Sequence, residues 1–292
     1  MTAPLPLAGL RILSLALNLP GPAALMRCQA LGARCIKLEP PSGDPMIAYS
    51  QAAYRELHEG VTVIRADLKS PAGQDVLHSH LADTDVLLTS FRPSAMARLG
   101  LDWERLHRVH PPLSQVAIVG ALGPGADSPG HDLTYQAEHG LVTGLNLPPT
   151  LYADMGGAMQ AVEAILLAAM GRTSGQGSGQ TSGQAGRYFE VALSEAAGFL
   201  SLPRRWGLTC EGDILGGAHA GYRVYACADG RVALAALEPH FARATCEAVG
   251  IAELEPTSLA AFFRGKTCDE LDRLAAEKDL PLHTMAAEGS RS

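Results

Sequence analysis

The chain has 292 residues, 47% of them hydrophobic and only 18% charged, with 23 Lys and Arg against 30 Asp and Glu for a net charge of -7. This supports one large domain or two modest ones around a sizeable core, and it lacks the basic stripe of a nucleic-acid binder. No apolar run approaches the ~20 residues needed to span a bilayer, and residues 1–10 lack the regions of a signal peptide, so no membrane partner and a cytoplasmic location are expected.

Residues 10–15 read as a short apolar strand, followed by a turn at Asn18, Pro20, Gly21 and Pro22 and a helix over 23–31 that ends at Gly32. Residues 35–38 form a second strand closed by Pro40 and Pro41, and 61–64 a third. A helix over 70–82, a strand over 85–89, a short helix over 103–109 and a strand over 114–119 follow. Strands alternating with helices predict a parallel sheet covered on both faces, a Rossmann-like α/β domain. In such sheets ligands bind beyond the carboxyl ends of the strands.

Residues 120–149 are rich in Gly, Pro and polar side chains, which predicts an ordered loop with one helical segment near 133–143. The apolar run 158–170 predicts a helix buried on all sides. Residues 171–186 repeat Ser-Gly-Gln and predict a flexible surface loop. A helix over 189–200 comes next, then strands at 221–226 and 232–237 around Asp229-Gly230, a hairpin signal. Residues 241–249 and 268–277 are helical by period. The expected organisation is a large α/β domain over 1–200, and a linker with a smaller α+β domain over 201–292.

The six cysteines, Cys28, Cys35, Cys210, Cys227, Cys246 and Cys268, show no C-x-x-C pair and no zinc-type His spacing, so reduced thiols and no metal are expected. Three local groups could carry chemistry: Gly130-His131-Asp132 before a helix, Asp154-Met155-Gly156-Gly157 at the start of the apolar helix, and Leu237-Glu238-Pro239 after a hairpin strand. Asp132 and Asp154 also suit N-caps, His131 a surface position, and Glu238 a solvated strand end. A carboxylate at the start of an apolar helix is drawn toward the anion by the helix dipole and toward the neutral acid by desolvation, which suits proton transfer.

Several blocks carry a resemblance. Leu7-Ala8-Gly9-Leu10-Arg11-Ile12-Leu13, Leu31-Gly32-Ala33, Ile36-Lys37-Leu38-Glu39-Pro40-Pro41, Asp67-Leu68-Lys69-Ser70-Pro71, Phe91-Arg92-Pro93 and Arg98-Leu99-Gly100-Leu101, in that order, resemble the CoA-transferases of family III (CaiB/BaiF). The Gly130-His131-Asp132, Asp154-Met155-Gly156-Gly157 and Leu237-Glu238-Pro239 groups most resemble the α-methylacyl-CoA racemase branch, whereas transferases commonly have Tyr in the place of His131. The chain departs from the family in a shorter connection between His131 and Asp154, and in a long Gly-Ser-Gln run where members have a compact glycine turn. Family members also continue with further helices past the point where this chain stops.

The resemblance implies a CoA-binding first domain and roles for particular residues. His131 and Asp154 match an acid/base pair, Asp132 and Glu238 match polar residues that support it, and Asp154 also matches the transferase nucleophile. Lys37, Ala66, Leu68, Lys69, Arg92 and Arg98 fall where the family contacts coenzyme A, whose phosphates suit Lys and Arg. The implied activity is racemisation at the α-carbon of a 2-methylacyl-CoA by two-base proton transfer through an enolate, with amides around Gly156-Gly157 stabilising the oxygen. The alternatives are a CoA-transferase that uses Asp154 as nucleophile, and a non-catalytic acyl-CoA-binding paralogue. No cofactor is required beyond the coenzyme A of the substrate, and no G-x-G-x-x-G follows the first strand. An interlocked homodimer is implied as well, with Glu238 of one chain near His131 of the other; the low charge content agrees with extensive burial.

Overall fold

The computed structural model describes residues 5–173 and 185–287. The chain divides into two compact units, Met1–Ser201 and Leu202–Ser292.

The first unit runs β1 (Arg11–Ser14), α1 (Pro20–Ala30), β2 (Arg34–Glu39), α2 (Met46–Tyr49), α3 (Gln51–Leu57), β3 (Thr62–Arg65), α4 (Pro71–Leu81) and β4 (Val86–Thr89). It continues through α5 (Pro93–Arg98), α6 (Trp103–Val109), β5 (Ser114–Val119), α7 (Asp132–Glu138), α8 (Tyr152–Thr173), β6 (Tyr188–Ala192) and α9 (Leu193–Leu200). The six strands form one sheet in the order β3-β2-β1-β4-β5-β6. Every pairing is parallel, with Leu13 opposite both Ile36 and Leu87. Chain order reverses direction between β1 and β4, which opens a crevice at their carboxyl ends. Central strands such as β4 and β5 are buried on both faces, as an all-parallel sheet requires. One apolar core unites α1, α8 and the sheet, and a second lies under α4, α5 and α6.

The second unit holds α10 (Leu202–Arg205), the hairpin β7 (Tyr222–Cys227) and β8 (Gly230–Ala235), α11 (Pro239–Val249), α12 (Pro256–Arg264), α13 (Cys268–Lys278) and β9 (Leu282–Ala286). Its three strands are antiparallel in the order β7-β8-β9. Asp229 joins the elements: its Oδ1 accepts the amide of Cys268 at 2.8 Å, which brings the Cys268 thiol to 3.6 Å from that of Cys227. The four cysteines Cys28, Cys35, Cys227 and Cys268 are buried, and none of the six is in a disulfide. Among the described residues no helix is long and apolar enough to cross a membrane.

Two expected elements are corrected. Residues 189–200 are not one helix: Tyr188–Ala192 joins the sheet as β6, parallel to β5, and the helix begins only at Leu193. The apolar helix α8 is not buried on all sides. Ala158, Ala161, Ile165 and Ala168 face α1 and the sheet, while Met155, Met159 and Leu167 stand in solvent, Met159 at 64% exposure. Apolar composition alone hides the fact that the helix packs with one face only, leaving Met155, Met159 and Leu167 on the other. The expectation of a flexible loop over 171–186 falls largely outside the described residues.

Candidate active site

A cleft of about 430 Å3 opens at the carboxyl ends of β1, β4 and β5. Asn18, Met46, Arg92, His131, Tyr135 and Asp154 line it, so the turn after β1, the loop after β4 and the starts of α7 and α8 all contribute. Asn18 holds a left-handed backbone (φ +65) in the turn that precedes α1, with Pro20 and Pro22 fixing the entry to the helix.

The two candidate proton carriers share this cleft. His131 precedes α7 and is exposed. Its backbone amide donates to Thr134 Oγ1 at 3.0 Å, and the Thr134 hydroxyl donates to the His131 carbonyl at 2.7 Å. Thr134 therefore holds the backbone of the residue at the edge of the cleft. Asp154 sits in the first turn of α8. Burial pushes its carboxyl up to about 7, and the negative charge of neighbouring Asp132 adds to the shift.

Asp132 supports the pair structurally. It is buried at the start of α7, but it caps the other helix: its Oδ1 accepts the amide of Asp154 at 3.0 Å. Its Oδ2 accepts the side-chain amide of Gln136, which also donates to the Thr150 carbonyl at 3.2 Å. Asp132 thus locks the start of α8 against α7 and fixes where Asp154 stands. Glu238 belongs to the second unit, where it immediately precedes α11 and is exposed.

The residues expected to contact coenzyme A separate into three groups. Arg92 lines the cleft. Ala66, Leu68 and Lys69 follow β3 and Arg98 ends α5; the Gln74 side-chain amide donates to the carbonyls of both Leu68 (2.6 Å) and Leu99 (3.2 Å), which holds these two segments side by side. Lys69, Arg92 and Arg98 are exposed. Asp127 lies below the usual carboxylate range through its bonds from Ser94 and, next, the charges of Arg92 and Arg98. Lys37 is the exception and is corrected. It is 0% exposed, and its ammonium is already bound by Asp44, by Glu39 at 3.3 Å and by His58 Nε2 at 2.8 Å. It cannot reach a ligand's phosphate while those contacts stand. Glu39, Asp44 and His58 lie close enough together to hold a cation, and the lysine is that cation.

The expected oxyanion donors also need correction. Gly156 and Gly157 lie in the second turn of α8, where amides are bonded to the preceding turn. They make room for α9 instead: a Cβ on Gly156 would come within 3.0 Å of Leu200, and one on Gly157 within 2.4 Å of Leu193. Among the cleft residues that sequence reasoning missed, Tyr135 carries a functional group beside His131 and Asp154. It stands four positions after His131, inside α7, whereas His131 precedes the helix with an extended backbone. Its place in the short helix that follows the Gly130-His131-Asp132 group is the signal that could have found it.

A parallel sheet covered on both faces, with a cleft at the carboxyl ends of its strands, places the first unit among the open doubly wound α/β folds. The profile of CoA-transferase family III matches residues 7–286, and the chain belongs to that family. Cinnamoyl-CoA:phenyllactate CoA-transferase of Clostridium sporogenes is 34% identical over 51% of this chain and 40% of its own. Alpha-methylacyl-CoA racemase of Homo sapiens is 29% identical over 84% of this chain and 67% of its own. A hypothetical protein of Mycobacterium tuberculosis shares the fold at a TM-score of 0.79 and 23% identity, over 97% of this chain and 84% of that one. The chain spans between two fifths and two thirds of the length of the relatives first matched.

Proposed function

We propose that the protein racemises the α-carbon of a 2-methylacyl-CoA thioester, with His131 and Asp154 as the two bases. The observation that carries this reading is the shared cleft, in which a histidine accompanies a carboxyl whose value near 7 suits both giving and taking a proton at neutral pH. One base removes the α-proton and the other returns a proton to the opposite face, and no redox change is involved. Arg92, Arg98 and Lys69 supply positive charge for the phosphates of coenzyme A. The test is deuterium uptake at the α-carbon in D2O without an acceptor acid: uptake is expected, and its absence refutes the reading.

The second reading is CoA transfer, with the Asp154 carboxylate attacking the thioester carbon and releasing the CoA thiolate. It is favoured by relatives named as CoA-transferases, among them the succinate–glutarate enzyme of Agrobacterium fabrum, 29% identical over 84% of this chain. The histidine that shares the cleft with the carboxyl is used by two-base proton transfer and is not required by a carboxylate nucleophile, which places this reading second. Formation of a new acyl-CoA on adding an acceptor acid, without α-deuteration, would select it.

Arg98→Ala is expected to weaken acyl-CoA binding by about 1.5–3 kcal/mol, the range for hydrogen bonds to charged groups. Turnover at saturation should change less, since a phosphate contact is the same in ground and transition states. Calorimetric titration beside an exchange assay separates the two effects.

We further propose a homodimer in which Glu238 of one chain approaches His131 of the other. The exposed apolar side chains Met155, Met159 and Leu167 on α8, interrupted by the exposed Glu163, with Phe199 at 66% exposure on α9, support a covered face. Introducing Glu at both Met159 and Leu167 is expected to yield monomers in sedimentation, whereas the native chain sediments as a dimer at micromolar concentration. A native monomer with full activity would overturn the assembly.

A further inference from the structure

With Gly156 and Gly157 packed against α9, the cleft needs another partner for the oxygen that becomes negative when an α-proton leaves. Tyr135 meets the requirements. It lines the cleft with His131 and Asp154, and it is 8% exposed. Its hydroxyl makes no hydrogen bond to any described residue, and it is not among the fully buried polar atoms, so it is open to a partner that enters the cleft. The ring packs with Ala153 and Ala197, so its position is set by α8 and α9.

Two glycines reserve the space around the hydroxyl. A Cβ on Gly120 would lie 2.2 Å from Tyr135 Oη, and one on Gly130 would lie 2.4 Å from it. Both glycines line the cleft. Neither has positive φ, so backbone conformation does not demand glycine at either place. The demand comes from the phenol. Burial, and next the nearby Asp154 charge, raise its value further, while Arg92 lowers it; the hydroxyl therefore keeps its proton at neutral pH and is a donor.

We propose that Tyr135 is a catalytic residue whose Oη–H donates a hydrogen bond to the thioester carbonyl oxygen of the bound acyl-CoA. The proposal rests on the acyl-CoA reading above. In the exchange reaction the base takes the α-proton, the C–H pair becomes the Cα=C bond, and the carbonyl π pair moves onto oxygen. Reprotonation at the α-carbon reverses each shift. The phenol retains its proton throughout, and the hydrogen bond strengthens as the oxygen gains charge.

Tyr135→Phe keeps the ring and its packing, so it isolates the hydroxyl. With 2-methylpropanoyl-CoA labelled with 13C at the thioester carbon, the bound carbonyl band of the native protein is expected at lower wavenumber than that of the Tyr135→Phe protein. The kcat for deuterium exchange is expected to fall roughly 10²–10³-fold in the variant, the cost of losing one oxyanion donor, with KM little changed. An unchanged carbonyl band overturns the proposal whatever the rates. A native protein that neither exchanges nor transfers refutes the proposed reaction separately, and the band of the bound acyl-CoA still decides whether Tyr135 donates to its carbonyl.

Discussion

Asp154→Asn is expected to reduce α-proton exchange by about 10²–10⁴-fold, the typical contribution of general acid–base catalysis, while acyl-CoA still binds. The carboxyl is the only part removed, because the backbone amide of residue 154 remains bonded to Asp132. His131→Ala should cost a similar factor and leave α7 intact, since both local bonds to Thr134 use the His131 backbone. The pH profile of kcat/KM should show an inflection near pH 7, the value to which burial brings Asp154, and that inflection should be missing from the residual rate of Asp154→Asn. Stability moves the other way. A carboxyl raised from its ordinary value to about 7 favours folding in its protonated form, and that contribution fades as pH climbs from about 4 through 7. Above pH 7 the native chain buries a charge that the variant lacks. Asp154→Asn should therefore be the more stable protein at pH 8, by up to about 4 kcal/mol, and the difference should vanish near pH 4. Calorimetric melting at both pH values, beside the exchange assay, checks both signs.

The sheet was largely legible because parallel strands announce themselves as short apolar runs between turn signals. Residues 114–119 were read with their observed bounds, and β1 to β4 within a residue or two. Strand β6 was not legible: Tyr188–Ala192 carries Glu190 and leads into alanines, and its strand character comes from pairing with β5, about 73 positions earlier. The same limit applied at α8, where sequence counts apolar residues but does not say which face has a neighbour. In the site, His131 and Asp154 were found through short motifs, and folding brings them to one cleft across 23 residues of sequence. Lys37 misled for a physical reason. A lysine in a strand reads as exposed because burying an ammonium is costly, and nothing local reveals that Asp44 and His58 arrive from a following loop and helix to satisfy it.

That burial makes Lys37 the position of the largest expected loss of stability. Its ammonium, Glu39 and Asp44 are all 0% exposed as side chains, and Tyr54 donates to Glu39 at 2.8 Å while Arg65 approaches at 3.7 Å. His58 completes the group; burial first, then the lysine charge, holds its value down, so the neutral ring accepts from the ammonium through Nε2. Lys37→Met preserves the stem and removes the charge, leaving two buried carboxylates facing each other. Breaking a buried ion pair in this way costs about 3–5 kcal/mol. The loss should reach the cleft as well, because Asp44 Oδ1 accepts the amides of Asn18 at 3.1 Å and Met46 at 2.8 Å, both cleft residues. The deficit should narrow as pH falls, since protons can neutralise the two buried carboxylates that the variant leaves without their cation. Adding Glu39→Gln and Asp44→Asn to Lys37→Met should recover much of the stability at pH 7.5 for the same reason. Denaturant titration at pH 7.5 and 5 measures both effects. A Lys37→Met chain as stable as the native one at pH 7.5 would mean that the buried ammonium contributes nothing, and that Asp44 holds the cleft turn without it.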